Sequence, residues 1–75
     1  MTIKLYTKHN CGACDITKQW LDNNNLEYTT VNVQEDPDAM AEIQEKGYMQ
    51  LPVVNVNDWE THWSGFEFQR LEGLL

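Results

Sequence analysis

Basic residues are scarce in this 75-residue chain: five Lys and Arg stand against twelve Asp and Glu, a formal net charge of -7. Those five form no run or stripe, which points away from a nucleic-acid surface, since phosphate binding draws its affinity from clustered cations. Long apolar runs are missing as well. None approaches the roughly 20 residues that a membrane span needs, and Met1 to Tyr6 has a short strand pattern rather than the basic-then-apolar plan of an export signal. No membrane partner is expected, and the cytoplasm is the expected compartment. Cysteine is nearly absent too. Two cysteines are too few for a disulfide-stapled secreted mini-protein, and a bridge between them would constrain almost nothing. The length leaves room for one domain, residues 1–75, near the lower limit at which a hydrophobic core suffices without metals or several disulfides. No repeat, linker or low-complexity segment divides it, and nothing in it calls for an oligomer, so a monomer is expected.

What is present is a pair, Cys11-Gly12-Ala13-Cys14, directly after a short apolar strand pattern and at the start of a helical one. Ile3-Lys4-Leu5-Tyr6 alternates apolar and polar, Thr7-Lys8-His9-Asn10 is a polar loop, and Ala13, Ile16, Trp20 and Leu21 recur at helical spacing. The Asn23-Asn24-Asn25 run stops that helix, because Asn tolerates left-handed backbone. Cys11 then falls at the helix N-cap or beside it. Leu26 to Val33, rich in β-branched and aromatic residues, predicts a second strand.

A second helix follows, with Asp36 as N-cap, Pro37 at the first helical position, Met40 and Ile43 as its apolar stripe and Gly47 at its C-terminal cap. Gln50 to Val56 is a loop entering a strand, with Pro52 at the strand's first residue. Asn57-Asp58 predicts a two-residue hairpin turn into an antiparallel strand over Trp59 to Trp63. Ser64-Gly65-Phe66-Glu67 has the form of a capping box, with Trp63 and Phe68 as its hydrophobic staple, opening a last helix with Phe68, Leu71 and Leu75 on one face. The order β-α-β-α-β-β-α predicts an α/β fold around a four-stranded mixed sheet.

Three readings of the cysteines compete. Two inert buried thiols are the bland one. Zinc is the second, but one C-x-x-C supplies half of a four-ligand site, so His9 and His62 would have to complete it. Thiol–disulfide exchange is favoured by the placement in a strand–helix unit. In that reading Cys11 is the nucleophile, because it sits nearer the solvent and the helix N-terminus, with Lys8 and His9 close by to favour its thiolate. Cys14 lies one turn in and resolves the mixed disulfide. Gly12 and Ala13 leave the approach to Cys11 open, and no metal or organic cofactor is needed.

With Thr7-Lys8, the C-x-x-C helix, Gln50-Leu51-Pro52-Val53-Val54 and His62-Trp63-Ser64-Gly65-Phe66 in view, the chain resembles the NrdH-redoxins, a glutaredoxin-like branch of the thioredoxin fold. The likeness spans nearly the whole chain in matching order. It implies a dithiol electron carrier that serves the large subunit of class Ib ribonucleotide reductase and is recharged from NADPH through thioredoxin reductase. It also implies that Pro52 is a cis-proline facing the cysteines, that the backbone of Leu51 pairs with an extended partner segment, and that Trp63, Ser64, Gly65 and Phe66 border the partner. Two departures stand out: His9 where the family usually has Pro, and Glu67-Phe68-Gln69 where it usually continues Arg-Pro-Asp. The alternatives are a glutathione-dependent glutaredoxin, whose Gly-Gly-x-Asp-like stretch is replaced here by Trp63 to Phe66, and a zinc-holding module without redox turnover.

Overall fold

The computed structural model describes all residues, Met1–Leu75. Its elements are β1 (Ile3–Thr7), α1 (Gly12–Asn23), β2 (Thr29–Asn32), α2 (Pro37–Glu45), β3 (Val53–Val56), β4 (Thr61–Ser64) and α3 (Phe68–Glu72). They form one four-stranded sheet in the order β2-β1-β3-β4. Strands β1 and β2 are parallel, joined by α1 as crossover, while β3 runs antiparallel to both β1 and β4. This is the thioredoxin-like arrangement. No helix is long and apolar enough to cross a membrane.

The period of two along each strand sorts the apolar residues into two cores. Ile3 and Leu5 of β1, Val54 and Val56 of β3 and Trp63 of β4 share one face, which Leu21 of α1 and Leu71 of α3 cover. Leu5 lies opposite Val54, and Val54 opposite Trp63, so that core is continuous across three strands. Tyr6 and Val53 point the other way and pack with Val33, Ala39 and Ile43, the last two from α2.

Both long helices begin and end on local signals. Asp36 Oδ1 accepts the Ala39 N–H at 3.1 Å, with Pro37 at the first helical position. At the end of α1, Leu26 N–H donates to Leu21 O at 3.0 Å and Asn25 N–H to Asp22 O at 3.1 Å, around a left-handed Asn25. At the end of α2 the same pair of bonds runs from Tyr48 N–H to Ile43 O at 3.0 Å and from Gly47 N–H to Gln44 O at 2.9 Å, around Gly47 at φ 88°. These are Schellman motifs, and in each the apolar residue after the cap packs into a core.

Three sequence expectations are corrected. Strand β2 spans Thr29–Asn32 rather than Leu26 to Val33, because Leu26 completes the α1 cap and Asn32 Oδ1 accepts the Gln34 N–H at 2.8 Å, turning the chain out of the sheet. The β3–β4 turn takes four residues, Asn57 to Glu60, and not two. Asn57, Asp58 and Trp59 all have positive φ, Trp59 N–H donates to Asn55 Oδ1, and the Trp59 ring stacks on Tyr6 at 5.6 Å between centroids. Finally, the Ser64 capping box and its staple do not form. Ser64 stays in the sheet opposite Val53, the N-cap of α3 is Glu67 with no side-chain bond, Trp63 is buried and Phe68 is 49% exposed. Ladder pairing and core burial of Trp63 outweigh one local cap bond.

Candidate functional site

The loop Lys8–Asn10 leaves the sheet at the end of β1, and Asn10 adopts a left-handed backbone with φ 56°. That turn sets Cys11 in extended conformation as the N-cap of α1, where its Sγ accepts the Cys14 N–H at 3.1 Å. Cys11 and Cys14 are joined as a disulfide with their Cα atoms 5.2 Å apart. Cys11 exposes 7% of its surface and Cys14 only 1%. Both are thus largely covered, and the outer sulfur is the Cys11 one. When the bond is reduced, a helix N-terminus and a directed N–H favour negative charge on Cys11 Sγ, which is the charge an attacking thiolate carries.

Opposite the disulfide lies the entry to β3. The Leu51–Pro52 peptide bond is cis, and Leu51 O is 3.8 Å from Cys11 Sγ. Pro52 is buried and Leu51 half-buried, while Met49 just before them is 97% exposed. Gly65, at φ 85°, donates its N–H to Pro52 O at 2.8 Å. That bond draws the end of β4 to the side of the cis-proline. Of the stretch Trp63 to Phe66, Trp63 is 4% exposed and belongs to the core, Ser64 and Gly65 are half-buried, and Phe66 presents its ring to solvent.

Among the residues flanking Cys11 in sequence, Gly12 and Lys8 are exposed and Ala13 half-buried. Asp15, in the first turn of α1, has Lys18 Nζ at 4.0 Å. His9 is turned toward the opposite loop: its Nε2 lies 3.2 Å from a Glu35 carboxylate oxygen and 3.3 Å from Asn32 Nδ2. Its backbone N–H donates to Gln34 Oε1 at 2.9 Å. His62 is hydrogen-bonded to Tyr48 Oη and packs edge-on against Trp59, on the sheet face that α2 covers. The two histidines therefore have other partners, and no cluster of three or more His, Cys, Asp or Glu side chains that could hold a metal forms. Asn32 and Gln34 were not candidates from the sequence. Nothing in their spacing relates them to a loop more than twenty positions away.

The outer of two bonded sulfurs at a helix start, a more deeply shielded second sulfur and the Leu51 carbonyl 3.8 Å from the outer one together suit thiol–disulfide exchange. The comparisons agree. The glutaredoxin family model matches residues 3–59. The glutaredoxin-like protein NrdH of Salmonella typhimurium is 41% identical over 66 residues, covering 88% of this chain and 79% of its own. That of Lactococcus lactis subsp. cremoris is 29% identical over 72 residues, covering 96% of this chain and 97% of its own. Among solved structures, NrdH-redoxin from Escherichia coli, described for its thioredoxin-like activity profile, superposes with a TM-score of 0.94 at 32% identity, covering 100% of this chain and 96% of that one. With a redox pair in the geometry of that fold, the chain belongs to the glutaredoxin family, as one of its NrdH-type thiol–disulfide oxidoreductases.

Proposed function

We propose that this chain, acting as one domain over residues 1–75, is a cytoplasmic protein electron carrier. In this reading it is reduced from NADPH by thioredoxin reductase and passes electrons to the large subunit of class Ib ribonucleotide reductase. Cys11 thiolate attacks one sulfur of the partner's disulfide; a new S–S bond forms and the partner's other sulfur leaves and takes a proton. Cys14 then gives up its proton and attacks Cys11 Sγ, the partner's first sulfur leaves, and the Cys11–Cys14 disulfide remains. Two electrons pass to the partner, with one proton from Cys14 and one from solvent, and with no bound cofactor. The partner's extended segment lies along Leu51 and Pro52, bordered by Lys8, His9, Gly12 and Ala13 on one side and by Ser64, Gly65 and Phe66 on the other. Trp63 supports that border from the core.

The observation that carries the choice of reductase is the Gly65–Pro52 bond at 2.8 Å. A glutathione site needs free donors for the tripeptide's carboxylates. Here the Gly65 N–H is already engaged, and the next residue offers the apolar ring of Phe66, which suits a protein surface. The thioredoxin-like activity profile ascribed to the Escherichia coli relative supports the same choice.

NADPH oxidation in a coupled assay tests this. The oxidised protein should turn over much faster with thioredoxin reductase than with glutathione and glutathione reductase, and Cys14→Ser should stop at a mixed disulfide through Cys11. Faster turnover with glutathione assigns the protein to the glutathione-dependent class instead, and failure of Cys14→Ser to trap a partner overturns the roles of the two sulfurs.

A further inference from the structure

The three residues that deliver Cys11 are exposed, and none of Lys8, His9 and Asn10 takes part in a backbone–backbone hydrogen bond. The sheet stops at Thr7, whose carbonyl accepts the Val33 N–H at 2.9 Å, and the bonding of α1 starts with Asp15 N–H on Cys11 O at 3.1 Å. Between those points one bond holds the main chain: His9 N–H to the side-chain carbonyl of Gln34, at 2.9 Å. The Gln34 main chain is held in turn, because its N–H donates to Asn32 Oδ1 at 2.8 Å, a local turn that Asn side chains favour, while its side chain is exposed. With that oxygen engaged, the Asn32 amide nitrogen faces the His9 ring at 3.3 Å. Three side chains, Asn32 at the end of β2 and Gln34 and Glu35 just after it, thus contact one residue two positions before the reactive sulfur. The next residue, Asn10, is the left-handed one, so the turn into Cys11 begins directly after the residue that Gln34 contacts.

We propose that Gln34 is a positioning residue of the thiol–disulfide reaction, setting through His9 N–H and the Asn10 turn where Cys11 Sγ sits relative to Cys14 N–H and Leu51 O. It touches no reacting atom, and the proposal rests on the reading of Cys11 as the attacking sulfur. The dependence is steep because the Cys14 N–H bond and the field of the helix end both act only at close range. The residue type fits the task. An amide carbonyl accepts the His9 N–H as well as a carboxylate does, without adding a second negative charge to a loop where a Glu35 oxygen already lies 3.2 Å from the His9 ring. In a chain of net charge -7 that neutrality has a use.

The test uses the full-length reduced protein. Iodoacetamide alkylation of Cys11, located by mass spectrometry and measured across pH, gives the thiolate's titration and rate. Amide exchange of His9 and a urea unfolding curve are recorded alongside. Gln34→Met keeps the length and removes the acceptor; it is expected to speed His9 exchange and to slow alkylation at neutral pH by about three- to tenfold, the effect of raising the thiol pKa by about half a unit to one unit. The urea midpoint should not move. Gln34→Glu keeps an acceptor and should keep the His9 amide protected.

A Gln34→Met variant with an unchanged Cys11 rate and pH profile overturns the proposal. So does one whose slower rate comes with a lowered urea midpoint, or a Gln34→Glu variant whose His9 amide is as exposed as in Gln34→Met. Alkylation that persists in Cys11→Ser with Gln34 intact instead overturns the assignment of Cys11, and is told apart by that background.

Discussion

The Tyr6 ring is fully buried at the meeting of β1 and β3, and its hydroxyl donates to a Glu42 carboxylate oxygen on α2, which also has Lys4 Nζ at 4.0 Å. Burial first, and the Glu42 bond second, raise its phenol pKa well above the ordinary 10.0. The folded protein therefore holds this proton at a pH where the unfolded chain, titrating near about 10, has released it. Tyr6 makes stability fall as pH rises above about 10 and leaves it unaffected below. In an alkaline titration the Tyr6 phenolate should appear only as the protein unfolds. Tyr6→Phe should weaken that alkaline dependence and cost about 1 kcal/mol at neutral pH for the lost bond, read from urea unfolding. The strand position of Tyr6 is legible in its alternation with Lys4 and Leu5. Its partner is not, since Glu42 is 36 positions away and belongs to another element.

Among the elements, the helix ends divide into those decided locally and those decided by the sheet. Asp36 and Gly47 bound α2 as their chemistry predicts, because the bonds that satisfy the helix ends lie within a few residues of the cap. Asp36→Ala should lose about 1 kcal/mol in urea unfolding. Glu67→Ala, at an N-cap whose side chain makes no bond, should stay within about 0.5 kcal/mol of wild type. The Ser64 box has the same local pattern as a good cap and fails. Ser64 lies opposite Val53 and its neighbour Gly65 bonds Pro52, so the sheet claims the segment before a helix can start there. The turn after β3 fails as a two-residue hairpin for a related reason: Trp59 folds back onto Tyr6 and His62 instead of extending the strand.

For the molecule as a whole, two small cores on either side of one sheet carry the fold. At 75 residues the net stability is expected near 4–11 kcal/mol, taking about 0.05–0.15 kcal/mol per residue. Leu5, fully buried and paired with Val54 in the core under α1 and α3, should cost about 2–5 kcal/mol when changed to Ala, a large fraction of the total. Ile43→Val on the α2 side should cost only about 0.5–1.5 kcal/mol. Thermal unfolding followed by circular dichroism separates the two: Leu5→Ala should unfold at a clearly lower temperature than wild type, while Ile43→Val shifts the midpoint far less.

By itself the sequence determined what depends on neighbours along the chain. The C-x-x-C at a helix start, the Asn and Gly stops, the Asp36-Pro37 entry and the alternation of apolar residues each act over less than about two helical turns, so residue type and spacing are enough to read them. Tertiary structure alone decided how little of the outer Cys11 is exposed, that Trp63 lies in the core while Phe66 stays at the surface, and that Gly65 engages Pro52. It also decided that Gln34 and Asn32 hold the loop before Cys11. Those outcomes turn on hydrogen bonds and packing between segments distant in sequence. They exist only once the sheet has set β1, β3 and β4 side by side and brought the β2–α2 connection against the loop that presents Cys11.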